Sequence, residues 1–186
     1  GKSKSMIEDA LEDYANAYNF KYVAFRYFNA AGASPDLKHG YTQKPANHIV
    51  PVVAQKILSG KTIEIFGNDF DTKDGTTERD YIHVCDLALG HLRAVEKICE
   101  LDRFQVLNLG TGIGTTVQEL VDVFQMVSGI TIPIKIVPRR PGDVAQSWAD
   151  PSSANTMLDI KFVKTIQEMC TDTWRWQNKN PNGYKH

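Results

Sequence analysis

Arg79-Asp80-Tyr81-Ile82-His83-Val84-Cys85-Asp86-Leu87-Ala88 is the stretch on which the reading of this chain turns. A polar loop, residues 67–78, precedes it and is crowded with Asn68, Asp69, Asp71, Asp74, Gly75, Thr76 and Thr77. Tyr81, Ile82 and Val84 read as a short extended run. Asp86 reads as the N-cap of a helix carrying Leu87, Leu89, Leu92, Val95 and Ile98. Arg79 then stands where a loop meets a regular element, the kind of place where ligands bind on a rigid scaffold. Its planar guanidinium suits a two-point contact with phosphate or carboxylate. Taken alone, the same arginine also fits a surface position with acidic neighbours.

Toward the N-terminus the pattern is helical from Ser3, with Met6, Ile7, Ala10, Leu11, Tyr14 and Tyr18 on one face. Residues 21–27 follow as a strand, with Val23, Phe25 and Tyr27 on one side and Tyr22 and Ala24 on the other. Apolar residues on both sides imply burial between two layers, as in a parallel sheet. The remaining strand candidates, 62–66, 105–109 and 132–137, are separated by helices, so the sheet that would receive the first strand is expected to be missing here. Residues 29–46 read as a long loop, unusual in a compact domain unless it closes over something. Asn47 leads a helix with Ile49, Val50, Val53, Ala54, Ile57 and Leu58; Pro51 fits only its first turn and Gly60 ends it. Thr116 with Glu119, and Thr165 with Glu168, have capping-box spacing ahead of two further helices. Asp150-Pro151 reads as an N-cap followed by proline at the first helical position, and the last helix stops before Asn180-Pro181.

The 186 residues suffice for one domain with a core, or one domain plus a remnant. Hydrophobic content of 42% and charged content of 23% are those of a soluble globular protein. A net charge of −1 gives no electrostatic case for nucleic acid or an anionic membrane. No apolar run is long enough to span a bilayer, and no signal-peptide pattern opens the chain. Cys85, Cys99 and Cys170 are odd in number and widely spaced in apolar helical patterns, which reads as reduced, packed thiols of a cytoplasmic protein. His39, His48, His83, His91 and His186 show no metal-ligand spacing, so no metal is expected, and His83 and His91 read as structural.

Two motifs mislead. Gly110-Thr111-Gly112-Ile113-Gly114 follows a strand and precedes a helix, but the third glycine of a dinucleotide fingerprint would fall on Thr115 or Val117. The next strand, 132–137, offers no acid for an adenosine ribose, so a glycine-rich turn is the better reading. Asp69-Phe70-Asp71-Thr72-Lys73-Asp74-Gly75 faintly suggests a calcium loop, yet Lys73 takes the fifth position and Asp80 the twelfth, where Glu belongs.

With Tyr27-Phe28-Asn29, Arg139-Arg140-Pro141-Gly142-Asp143 and the ending Trp174-Arg175-Trp176-Gln177-Asn178-Lys179-Asn180-Pro181-Asn182-Gly183-Tyr184, the opening stretch resembles the UDP-glucose 4-epimerases. These are sugar-nucleotide members of the extended short-chain dehydrogenase/reductase family, and the resemblance runs along the whole chain. It implies an α/β fold made of the C-terminal, substrate-binding domain of such an enzyme. Residues 1–28 would be the last helix and strand of a truncated NAD-binding Rossmann domain, and 29–186 the UDP-sugar-binding domain. Parts of 80–110 would pack back on the absent Rossmann sheet.

The resemblance also implies a chemistry. The family pairs a catalytic Tyr with a Lys four positions later; Gly1-Lys2-Ser3-Lys4 matches that motif, with the Tyr immediately before Gly1 and Lys4 as the catalytic Lys. An ammonium beside a phenol favours the phenolate. Phe28 would lie by the cofactor, NAD, and Asn29 on the substrate phosphate. His48 and Ile49 would meet the uracil end, and Glu64, Ile65 and Phe66 would lie along a strand that makes backbone contacts to the substrate. Arg79 and Arg140 would clamp the diphosphate, Tyr81 would support that site, and Asp143 would take a hydroxyl of sugar or ribose. Ser147 would line the pocket beside the sugar's C2 substituent, where its small size leaves room for an N-acetyl group. Trp174 and Trp176 read as packing. Implied partners are UDP-glucose, UDP-galactose, UDP-N-acetyl sugars and a second copy, the homodimer forming through a helix bundle with Met6, Leu11, Tyr14 and Tyr18. Galactose metabolism is the implied setting, and the 186 residues alone would be inactive. Dehydration or decarboxylation on the same scaffold, and a binding module without catalysis, stay open.

Overall fold

The structure, a computed structural model, describes residues 1–43 and 45–184, so His186 of the histidine set lies outside the described residues. In chain order the elements are α1 (Lys2–Tyr18), β1 (Tyr22–Tyr27), β2 (Asn29–Ala31), α2 (Ile49–Leu58), β3 (Ile63–Phe66), β4 (Glu78–His83) and α3 (Val84–Lys97). Then come β5 (Phe104–Leu109), β6 (Gly114–Thr116), α4 (Val117–Ser128), β7 (Ile134–Val137), β8 (Gln146–Ser147), α5 (Ser152–Leu158) and α6 (Ile166–Lys179). The expected α/β class is what the chain adopts.

Parallel pairs β1·β5 and β3·β7 flank a third sheet built on β4. The apolar half of β4 pairs in parallel with β2, matching Asn29 to Tyr81. Its polar half pairs antiparallel with β6, matching Arg79 to Thr115, and in parallel with β8, matching Arg79 to Ser147. Two apolar clusters hold these layers. One joins α2, β3, α4 and α6 through Val53, Ile57, Ile63, Ile65, Leu120, Phe124 and Met169. The other gathers Ile82, Ala94, Leu107, Leu109, Ala154 and Leu158, with Val23 and Phe25 of β1 packed against it. The first strand and residues 84–109 therefore share a layer. Residue 28 lies at the crossing between this layer and the β4 sheet: the Phe28 amide donates to Leu109 O, and Asn29 already pairs with β4.

Several expectations need correcting. Helix α3 starts two residues before Asp86, because the buried imidazole of His83 takes the cap position and its Nδ1 accepts from the Cys85 amide at 3.0 Å. Val84 is thus helical, and Asp86 sits in the first turn, accepting from the Lys164 amide at 3.1 Å. The span 29–46 is not all loop, since β2 opens it; strands of two or three residues such as β2 and β8 are too short to show alternation. Strand β1 is only partly buried and has β5 as its one partner among the described residues. The apolar face of α1 does not enter the core of the described residues: Met6 is 58% exposed, Tyr14 58% and Tyr18 72%. Cys170 is buried as expected, but Cys99 is exposed. Helix α5 begins at Ser152 with Pro151 at the cap position, although the Asp150 carboxylate still supplies the capping bond, accepting from the Ser152 amide at 3.0 Å. Both capping boxes form as read.

Candidate functional site

Strand β4 gathers the polar positions. The Asn29 amide group donates to Asp80 O at 2.7 Å, which fixes its carboxamide at the head of β2. Arg79, half-buried, donates from Nη1 to Glu78 O at 2.8 Å and to Ala145 O at 3.4 Å, and the Glu78 amide also donates to Ala145 O. Ala145 lies between Asp143 and Ser147, so one short segment brings both of those residues beside Arg79. Asp143 in turn accepts from Arg140 Nε at 3.0 Å, and the Arg140 guanidinium lies 4.5 Å from the centre of the Phe66 ring at the end of β3. Next to it Arg139 pairs with the Asp69 carboxylate and stacks on Phe70 at 3.9 Å. Arg139 holds the Asp69 carboxyl below its usual range.

Asn29, Phe66, Arg79, Arg140, Asp143 and Ser147 thus belong to one connected region, whereas the other expected positions distribute around it. Ile65 is buried and Glu64 exposed on β3, whose pairing with β7 leaves its second edge without a strand among the described residues. His48 is the N-cap of α2 and makes no side-chain capping bond; Ile49 is the first helical residue. Lys4 belongs to a separate cleft of about 510 Å³ between α1 and β1, lined also by Leu11, Phe25 and Tyr27. Beside it, Glu8 and Arg26 form an ion pair that ties α1 to β1.

Tyr81 lies beneath the site and not on its surface. Its ring is 2% exposed in the apolar core, and its hydroxyl has no hydrogen-bond partner among the described residues. Burial pushes the phenol well above its ordinary range, against a weaker opposing pull from Arg79. It therefore packs beneath the site as a support and does not line its surface. Trp176, read as packing, is buried, and Trp174 is partly buried against the same core.

The residue that the sequence reading passed over is Asp80. It is fully buried, and its carboxylate accepts from the Thr111 amide at 3.0 Å and hydroxyl at 2.7 Å, from the Gly112 amide at 2.9 Å and from the Ala149 amide at 3.1 Å. This settles the nature of the glycine-rich turn. Its amides are turned inward onto a carboxylate, so this loop has no cradle for a phosphate. Gly110 is required by the same packing, since a Cβ there would lie 2.5 Å from both Ala149 Cβ and Asp80 Oδ2. A signal was available: an aspartate inside an apolar strand must find several donors, and a glycine-rich turn is a source of them.

The acidic loop is equally committed. Asp74 accepts from the Thr76 amide and hydroxyl and from the Thr116 hydroxyl, and these bonds outweigh its burial and hold its carboxyl below the usual range. No cluster of three or more metal-ligating side chains occurs among the described residues. His83 is structural, as read: its Nε2 lies 3.3 Å from Asp172, and its ring leaves no space for a side chain at Gly32. His91 contacts Leu87 O at 2.8 Å and packs edge-on against Phe25 of β1, with ring centroids 4.8 Å apart.

Known proteins share this chain's sequence and fold. The chain is 46% identical to a UDP-glucose 4-epimerase of Bacillus subtilis over 189 residues, covering 100% of this chain and 56% of that protein. It is 42% identical to the human UDP-glucose 4-epimerase, over 99% of this chain and 54% of that one. The chain thus spans about half the length of the curated relatives it matches. Among solved structures it superposes on a UDP-glucose 4-epimerase from Bifidobacterium longum in complex with NAD+ and UDP, with a TM-score of 0.90 and 41% identity over 98% of this chain and 55% of that one. The corresponding enzyme from Stenotrophomonas maltophila, with bound NAD and formylated UDP-arabinopyranose, gives a TM-score of 0.92 at 37% identity, covering 97% of this chain and 55% of that one. Residues 1–110 match the NAD dependent epimerase/dehydratase family, and the chain belongs to that family.

Proposed function

We propose that these residues are the sugar-nucleotide-binding part of an NAD-dependent UDP-glucose 4-epimerase that interconverts UDP-galactose and UDP-glucose, a cytoplasmic homodimer of galactose metabolism. The observation that carries this reading is the convergence on β4. Asn29, Arg79, Arg140, Asp143 and Ser147, distant in sequence, are tied to one strand and one short segment. Two guanidinium groups from separate elements suit a diphosphate, and a carboxylate beside them suits a hydroxyl. His48 and Ile49 at the head of α2, and the unpaired edge of β3 at Glu64, Ile65 and Phe66, suit the polar edge of a uracil.

Phe28 and Lys4 face the cofactor side. The cleft between α1 and β1 suits the nicotinamide end of NAD, and the loop at 110–114 does not suit its phosphates, because Asp80 holds the amides. NAD held there would supply the hydride acceptor and donor for the sugar's C4. Lys4 favours the anion of the tyrosine that exchanges the 4-hydroxyl proton. Asn29 and the two arginines hold the nucleotide while the sugar turns over. In this reading residues 1–28 belong to the dinucleotide domain and the rest to the C-terminal substrate domain. The partly buried β1 and the open apolar face of α1 support that division, and Met6, Leu11, Tyr14 and Tyr18 also suit a helix bundle between two copies.

The complete polypeptide carrying these residues is expected to convert UDP-galactose to UDP-glucose without added reductant, and the isolated 186 residues are expected to show no turnover. Turnover by the isolated chain, or none by the complete polypeptide, would overturn the assignment. The pocket beside the sugar's C2 carries a second expectation. Ser147 is small, so the complete enzyme should accept UDP-N-acetylgalactosamine. Ser147→Tyr should suppress that reaction selectively by placing a ring in the acetamido volume. Equal losses on UDP-galactose and its N-acetyl counterpart would remove Ser147 from that role.

A further inference from the structure

The start of α2 is held from a distance. His48, its N-cap, supplies no side-chain capping bond. The adjacent Asn47 is instead clasped by Tyr41, whose hydroxyl donates to Asn47 Oδ1 at 2.7 Å and accepts from the Asn47 amide at 3.2 Å. The Tyr41 ring also packs edge-on against His48, with centroids 6.1 Å apart. Tyr41 is itself fixed by α6, since Trp176 Nε1 donates to Tyr41 O at 3.1 Å. The indole is 1% exposed and lies so close to Gly40 that a Cβ there would fall inside the ring system. Tyr184 also packs edge-on against the indole, with ring centroids 5.2 Å apart. A continuous series of contacts therefore runs from the last helix through residues 40 and 41 to residues 47 and 48.

We propose that Tyr41 and Trp176 are positioning residues for nucleotide binding, setting where His48 and Ile49 stand; this rests on the reading of that helix end as part of the UDP-sugar site. Neither side chain needs to touch the ligand. Together they fix the residue just before the N-cap, so the helix end meets a nucleotide already ordered and the ordering cost is not charged to binding. A tryptophan at this place would otherwise read as core alone, but the bond from its ring N–H to a loop carbonyl gives it a directional role that phenylalanine cannot fill.

The test uses the complete polypeptide, UDP as calorimetric probe and UDP-galactose as substrate. Tyr41→Phe keeps the ring against His48 and removes the clasp; Trp176→Phe keeps an aromatic ring beside Gly40 and removes the bond to Tyr41 O. Each is expected to raise the UDP dissociation constant and the KM for UDP-galactose about three- to tenfold, the scale of losing one or two exposed hydrogen bonds. Values of kcat and NAD content should be unchanged. Because the two residues act in series, the double variant should be little worse than either single one. Wild-type binding of UDP with Tyr41→Phe within twofold of it would overturn the inference and leave the functional reading intact. So would a lower kcat at unchanged KM, or independent effects that multiply in the double variant. Absence of UDP binding by the wild type would overturn the functional reading itself, and this inference with it.

Discussion

Asp80→Ala is expected to destabilise the folded protein by at least about 4 kcal/mol, a large fraction of the roughly 5–15 kcal/mol that holds a typical domain folded. The argument rests on what the substitution leaves behind. Two oxygens currently accept from the Thr111 amide and hydroxyl, the Gly112 amide and the Ala149 amide. Asp80 and Ala149 are both buried, and Gly110, which opens the turn, is buried against them. Water could replace the lost acceptors only by entering a space now lined by Ala149 and Gly110. Each donor left without an acceptor costs about 1–3 kcal/mol. The damage would also spread: β4 would lose its tie to the turn before β6 and to the segment after β8, the two strands that flank Arg79. Asp80→Asn should fall between wild type and Ala, because one oxygen still accepts while the new amino group faces donors. Urea unfolding of the three proteins would measure this; a loss for Ala below about 1 kcal/mol would mean that the turn repacks or takes up water.

Asp80 also shows where sequence reading reached its limit. Elements with a repeating signal were legible: capping boxes at Thr116 and Thr165 identified two helices, and alternating or continuous apolar runs identified β1, β3, β5 and β7. Elements defined by their partners were not. Strands β2, β6 and β8 consist of three, three and two residues, and they exist because β4 offers its edges to them. The cap of α3 was misplaced at Asp86 because a histidine is an uncommon cap; His83 serves because burial fixes its ring with Nδ1 toward the Cys85 amide. The site followed the same rule. Residue types suited to phosphate and hydroxyl groups were visible at Asn29, Arg79, Arg140 and Asp143, but the depth of Tyr81 was not, because Asp80, Tyr81, Ile82 and His83 are all buried and no alternation marks an exposed face. Tyr41 and Trp176 left no trace as a pair, since the bond joining them spans most of the chain.

Arg79→Ala is expected to weaken UDP binding by about 2–5 kcal/mol, or roughly 30- to 5,000-fold, in the complete polypeptide. Two losses combine. The first is the guanidinium itself, a fixed cation beside the anion it would meet. The second is order in the segment that carries Asp143 and Ser147, because Arg79 Nη1 bonds Ala145 O between them. Arg79→Lys separates the two: it restores charge as a mobile point but not the planar fork, so it should recover only part of the affinity. Arg140→Ala should also weaken binding strongly, although its guanidinium is exposed, because it supplies the second cation from the opposite element. Fold stability should change little in the Arg79 variants, since the β4 backbone keeps its pairing with β6, β8 and β2 whatever side chain stands at 79. NAD content should be unaffected, because Lys4 and its cleft lie between α1 and β1, in the other layer. Calorimetric titration with UDP reads the affinity, and the absorbance of released dinucleotide reads the cofactor. Unchanged UDP affinity in Arg79→Ala would take this arginine out of the site, whereas loss of NAD together with UDP would mean that β4 organises both layers and not the nucleotide end alone.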